Sequence, residues 1–267
     1  MADWNPTLYS RFEDERTRPA RELLARVALE VPGDSTLLAY DLGCGPGNST
    51  ELLAARWPRA EIIGTDNSAA MLESARERLP AERFPQVRFE FSDINTWQPP
   101  RAPHLIYANA SLQWVRDHAS TFPRLLDALA PGGVLAVQMP DNLEEPSHRL
   151  MREVASQPLY AAHLGDAGAL RSRILPAAGY YDLLMSAAAS VDVWRTEYQH
   201  PMDSPARIVE WLRATGLKAF VDPLPAALRP TFLADYEKRI GEAYPVRVDG
   251  RRLLAFPRLF IVATRRA

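Results

Sequence analysis

Residues 39–58 read AYDLGCGPGNSTELLAARWP, and the three glycines at alternate positions, Gly43, Gly45 and Gly47, constrain the fold more than any other stretch. An apolar run enters them and a helical pattern leaves them. Glycine at such a turn lets the backbone take positive φ and approach a ligand closely. In an open α/β sheet the ligand lies outside the carboxyl ends of the strands, and the loop after the first strand is one of its usual walls.

Strand and helix patterns then alternate. EIIGTD (61–66), VRFEFSD (87–93), HLIYANA (104–110) and GGVLAVQMP (132–140) read as strands. Between them lie SAAMLESARERL (68–79), capped by Ser68, and HASTFPRLLDALA (118–130), interrupted early by Pro123. The helix after the glycines runs from about Asn48, with Asn48 or Ser49 as its cap, to Trp57 before Pro58. Such alternation predicts right-handed βαβ units and a parallel sheet covered on both faces. Ahead of it, residues 5–30 read as helical with a break at Thr17-Arg18-Pro19, then a turn at Pro32-Gly33. After Asp141 come helical pieces, a strand at 191–200, a helical stretch over 203–250 capped by Asp203 or Ser204, and a β-rich close at 258–266. The expected organisation is one domain: a core at about 31–140, 188–200 and 256–267, helical insertions at about 141–187 and 201–255 forming a lid, and the N-terminal helical segment 5–30.

The formal net charge of -2 lacks the basic excess a nucleic-acid binder uses against phosphates, so a small-molecule partner is expected. The N-terminus has no secretory pattern and no apolar run spans a bilayer, so the expected location is the cytoplasm with no membrane partner. The single cysteine, Cys44, is read as a small residue packed under the turn rather than a nucleophile. His104, His118, His148, His163 and His200 show no ligand-like spacing, and no metal is expected.

A dinucleotide fingerprint would place a third glycine where Asn48 stands, so nicotinamide chemistry is disfavoured. Instead the pattern is D-x-G-x-G-x-G from Asp41. Asp66 ends the second strand about 20 residues beyond the loop, where a carboxylate can accept from both hydroxyls of a ribose. Asp93 and Ile94 end the third, suited to an adenine amino edge and face, and Asn109 and Ala110 end the fourth. Together these strand ends describe a nucleoside site.

With DLGCGPG, GTD and SDI in this order, the chain resembles the class I S-adenosylmethionine-dependent methyltransferases over about residues 37–140. The resemblance implies a Rossmann-like α/β fold with a mostly parallel seven-stranded sheet. It implies that Asp41 and the backbone of Gly43 and Gly45 lie near the methionine part of S-adenosylmethionine, that Asp66 binds the ribose and that Asp93 with Ile94 holds the adenine. Asn67, Met71, Asn109, Tyr9 and Trp114 complete the expected cofactor set. The loop after the fourth strand reads Asn109-Ala110-Ser111-Leu112 and lacks the Asn/Asp-Pro-Pro-aromatic run of enzymes methylating nucleic-acid bases.

DWNPTLYSRFEDERTRPARELL, NASLQWV, QMPDN, VDVWRTEY and LLAFPRLFIVA extend the likeness nearly end to end, and the chain is similar to the trans-aconitate 2-methyltransferases, least well over 154–178. That family implies methyl transfer to a carboxylate, giving a monomethyl ester and S-adenosylhomocysteine. A carboxylate is already ionised at neutral pH, so no general base is expected and positioning is the task. Arginines suit a tricarboxylate, and Arg16, Arg18, Arg195 and Arg258 are the candidates. The alternatives are another small acid or a hydroxyl acceptor on the same fold, or a cofactor-binding protein without catalysis.

Overall fold

The computed structural model describes residues 13–29, 36–170, 173–213 and 215–267. Tyr9, the helical expectation over 5–12, the turn at Pro32-Gly33 and the side chain of Arg16 lie outside the described residues.

Seven strands form one sheet: β1 (Leu38–Leu42), β2 (Glu61–Asp66), β3 (Val87–Phe91), β4 (Leu105–Asn109), β5 (Val134–Pro140), β6 (Ala188–Met202) and β7 (Arg252–Arg265), in the order β3-β2-β1-β4-β5-β7-β6. β1 pairs in parallel with β2 and β4, β2 with β3, and β4 with β5. β7 runs the other way, since Arg265 donates its N–H to Gly133 O at the start of β5 while Asp141 at its end donates to Pro257 O. The sheet is therefore mixed and mostly parallel. Every residue of β1 is buried, whereas edge strand β3 buries only Val87 and exposes Arg88, Glu90 and Phe91. Strand order reverses between β1 and β4, which opens a crevice at their carboxyl ends.

The described helices include α1 (Glu13–Ala25), α2 (Asn48–Arg56), α3 (Ala69–Arg78), α4 (His118–Ala128), α5 (Pro146–Ala155), α6 (Pro158–Leu164), α7 (Ala177–Met185), α8 (Pro205–Arg213), α9 (Lys218–Val221) and α10 (Arg229–Ala243). Two expected proline breaks are absent: Pro19 lies inside α1 and Pro123 inside α4. Burial outweighs the local cost of proline. Ala20, Leu23 and Leu24 of α1 are buried, the Tyr107 hydroxyl donates to Ala20 O at 2.6 Å, and Arg56 donates to the carbonyls of Leu24 and, at 2.7 Å, Val27 just past the helix end. Phe122, Leu125 and Leu126 fix α4 in the same way. Ser68 caps α3 through the Met71 N–H, as read from the sequence.

The chain divides into two units. The first comprises the residues up to Pro140 with Ile174–Thr196 and Leu259–Ala267, and the second comprises Asp141–Arg173 and Glu197–Arg258. Helix α7, expected among the lid insertions, instead lies in the first unit, with Tyr180 and Leu184 fully buried in the sheet's core beside Phe122 and Leu259. The second unit has its own core, in which Tyr160 packs edge-on against Phe232 and the Tyr236 hydroxyl donates to Ser147 O at 2.7 Å.

Candidate active site

The glycine loop is fastened through its backbone. Gly43 and Cys44 donate N–H to Thr65 O at 2.7 and 2.9 Å, which ties the turn to the end of β2. Gly43 has φ +69, and a Cβ there would come within 2.4 Å of Ser111 Cβ, so only glycine lets this loop meet the one after β4. Ser111 completes that contact by donating its hydroxyl to Leu42 O at 2.6 Å. Gly47, at φ 89, caps α2; Asn48 and Ser49 do not. The reason is that the Ser49 hydroxyl is spent elsewhere. Ser49 and Thr50 both donate to Asp41 Oδ2 at 2.7 Å.

These strand ends surround a cavity of about 350 Å³, within the usual size of a small-molecule site. Gly43, Gly45, Asp66, Asn67, Met71, Asp93, Ile94, Asn109 and Trp114 all line it. Asp41 does not. It is fully buried beneath the loop, and burial pushes its carboxyl up to about 6 against the two hydroxyl hydrogen bonds that oppose the shift. Its visible work is to fasten the start of α2 to β1.

Asp66 is placed by backbone donors: Gly45 N–H to Oδ2 and Ser68 N–H to Oδ1, both at 2.9 Å. One carboxylate thus joins the glycine loop to the turn into α3. Asp93 Oδ1 accepts from the Asn95 N–H and amide at 2.9 and 2.7 Å, holding the loop after β3. At the end of β4, Ala110 adopts φ 55, a conformation non-glycine residues rarely take, and strain of this kind concentrates at functional sites. It is held there by its own N–H to Gln138 O and by the Gln113 amide donating to its carbonyl at 2.6 Å. Next to it, Asn109 Oδ1 is a buried acceptor without a hydrogen-bond partner.

Sequence reasoning missed part of this wall. Thr17 and Ala20 from α1 reach the cavity, and the Asn48 amide donates to Thr17 Oγ1 at 3.4 Å. No local pattern around Thr17 announces that role; it follows only from the packing of α1 against α2 and β5. Cys44 also lines the cavity, but burial first, then the Asp41 and Asp66 carboxylates, push its thiol well above the ordinary value, which suppresses the thiolate.

Arg18, Arg195 and Arg258 are not among the residues that line this cavity. Arg18 is exposed and pairs with Glu22 at 2.8 Å within α1. Arg195 is an exposed position on β6. Arg258 belongs to the second unit, where its guanidinium is buried over the rings of Phe256 and Tyr198 at 4.9 and 5.9 Å.

Residues 39–133 match the family described as Methyltransferase domain. The trans-aconitate 2-methyltransferase of Variovorax paradoxus is 65% identical and covers 100% of both chains, and that of Yersinia pestis (strain Pestoides F) is 56% identical over 98% of each. The chain belongs to the trans-aconitate 2-methyltransferase family. Among solved structures, the YcgJ protein of Bacillus subtilis matches with TM-score 0.60 at 13% identity, covering 94% of this chain and 99% of that one. Phosphoethanolamine N-methyltransferase 2 of Haemonchus contortus, solved with S-adenosyl-L-methionine, matches with TM-score 0.55 at 15% identity, covering 94% of this chain and 53% of that one. At such identities these two likenesses speak for the fold alone.

Within this family the geometry of the cavity acquires a meaning. A glycine loop bound to Asp66, an acid beyond β3 and the unsatisfied Asn109 acceptor are an acceptor set suited to a ligand that donates from hydroxyls and amino groups.

Proposed function

We propose that this protein transfers the methyl group of S-adenosylmethionine to a carboxylate of trans-aconitate, giving the monomethyl ester and S-adenosylhomocysteine. The observation that carries the reading is identity of 65% over the whole of a curated trans-aconitate 2-methyltransferase, joined to a cavity built at the ends of β1 to β4.

S-adenosylmethionine, when bound, supplies an electrophilic methyl group on a positively charged sulfur. The residues present fit that molecule. Asp66 would accept from ribose hydroxyls and Asp93 with Ile94 would take the adenine edge and face, while Gly43, Gly45, Asn109, Asn67, Met71 and Trp114 would form the rest of the wall. Asp41 acts from below by holding the start of α2.

The acceptor needs little activation. A carboxylic acid has an unperturbed pKa of about 4, so its oxygen is ionised at neutral pH and no general base is required. Attack by an anion on a cationic centre annihilates charge, so catalysis rests on orientation and exclusion of water. The protein works as a cytoplasmic enzyme on a small tricarboxylate. No helix among the described residues is long and apolar enough to cross a membrane.

The test is methyl transfer from labelled S-adenosylmethionine to a panel of trans-aconitate, cis-aconitate, citrate and isocitrate. The expected product is a base-labile methyl ester formed preferentially from trans-aconitate. Label appearing in a base-stable ether, or in none of the acids while the cofactor binds, would sink the assignment.

A further inference from the structure

The second unit contains a cavity of its own, about 210 Å³, lined by Leu143, by His148, Met151 and Arg152 of α5, by Gly168 and Arg173, and by Phe220 of α9. A water occupies about 30 Å³ of liquid, so this space suits a small organic molecule rather than one bound water. Arg152 and Arg173 both line it, 21 residues apart in sequence and brought together by the fold.

The two guanidinium groups converge on a carboxylate. Glu144 Oε1 lies 2.6 Å from Arg173 and 3.8 Å from Arg152. Arg152 is held in place by a 2.7 Å donation to Leu143 O, and its side chain is 23% exposed, whereas that of Glu144 is 64% exposed. A held, largely buried Arg152 and an exposed Arg173, 72% accessible, thus share an exposed surface acid. An exposed ion pair of this kind contributes only about 0–1 kcal/mol, so another carboxylate can take the glutamate's place at little cost. Around them the buried side chains of Met151 and Phe220 line the cavity, with the His148 ring edge-on to Phe256 at 6.4 Å. Planar forks that can each hold a carboxylate bidentately, next to a short apolar floor, match an acid with several carboxylates on an unsaturated or short carbon frame.

We propose that this cavity binds a small polycarboxylate, with Arg152 and Arg173 as its anchors and Glu144 as an intramolecular stand-in that the acid displaces. The inference rests on the methyltransferase reading only for the choice of trans-aconitate as the first probe.

The test is calorimetric titration of the full chain with trans-aconitate and with citrate at low salt, repeated for Arg152→Gln, Arg173→Gln and Glu144→Gln, with S-adenosylmethionine affinity measured on each. Either arginine variant weakens acid binding by about three- to fivefold, the upper end expected for a partly exposed ion pair. Glu144→Gln tightens it several-fold, a gain that misfolding cannot produce, and cofactor affinity stays unchanged throughout. Acid binding that ignores all three substitutions overturns the proposal. A KM for trans-aconitate that follows the dissociation constant marks the bound acid as the acceptor, and an unmoved KM marks it as an effector; both uphold the site. Arginine-dependent citrate binding without turnover of trans-aconitate would uphold the cavity and sink the proposed reaction, whereas turnover with arginine-independent binding would do the reverse.

Discussion

The cavity of the first unit is lined mainly by residues at, or within a few positions beyond, the ends of four neighbouring strands, with Thr17 and Ala20 added from α1, whereas that of the second is lined from 143 to 152, from 168 and 173, and from 220. The first is a backbone site. Its donors and turns are fixed by sheet register, so Gly43, Asp66, Asp93 and Asn109 recur at strand ends in sequence just as they do in space. The second is a side-chain site assembled from scattered helical pieces. Two ligand cavities on one chain can therefore differ in how strongly local sequence dictates them, and the difference should appear when each is perturbed.

Asp66→Ala should be the most damaging change. It removes the acceptor of two backbone N–H groups, and charge-assisted bonds contribute about 1.5–3 kcal/mol each, so cofactor affinity falls by roughly a hundredfold or more. Titration of S-adenosylmethionine checks this, and a loss below about threefold would show that the strand-end acid is not what holds the loop and its ligand.

Asp41→Asn tests the buried acid beneath the same loop. Its carboxyl is pushed from 3.8 to about 6 chiefly by burial. Below the unfolded value both states carry the proton. Between the two values only the folded state does, so stability falls as pH rises through this window and stays low above it. The asparagine variant should lose that dependence, a change of about 3 kcal/mol between the ends of the window. Denaturant midpoints measured across it for both proteins decide the matter, and parallel curves would contradict the buried charge.

These residues also show why part of the molecule was legible and part was not. The strands, the glycine turn and the Ser68 cap follow from periodicity and local chemistry. The continuity of α1 through Pro19 and of α4 through Pro123 does not, because buried neighbours on other elements outweigh the local cost. Nor does the capping of α2 by Gly47, since Ser49, the obvious cap, serves Asp41 instead. Arg18, Arg195 and Arg258 stand in recognisable short motifs, but an arginine's partner is decided by tertiary contacts. The pair that meets at a cavity, Arg152 and Arg173, carries no spacing that distinguishes it from other arginines.

Gly43→Ala should cost about 1–3 kcal/mol, the usual penalty of overpacking, because the new methyl group meets Ser111 across the loop contact. Thermal melts with and without cofactor report it. A variant as stable as the parent would mean the two loops part easily, weakening the claim that backbone geometry defines this site.

Arg18→Ala should matter least. Its pair with Glu22 is exposed within one helix, an arrangement contributing about 0.3–0.5 kcal/mol. The KM for the acid is expected to stay within twofold, and a large rise would return the N-terminal helix to the acceptor site.

The central claim is that methyl transfer ends on a carboxylate of trans-aconitate. A single-turnover reaction of enzyme, one equivalent of methyl-labelled S-adenosylmethionine and excess trans-aconitate tests it most directly, with S-adenosylhomocysteine and methyl ester counted in the same sample. The account predicts one ester for every S-adenosylhomocysteine formed. S-adenosylhomocysteine accumulating without ester, or bound cofactor persisting unreacted, would contradict it.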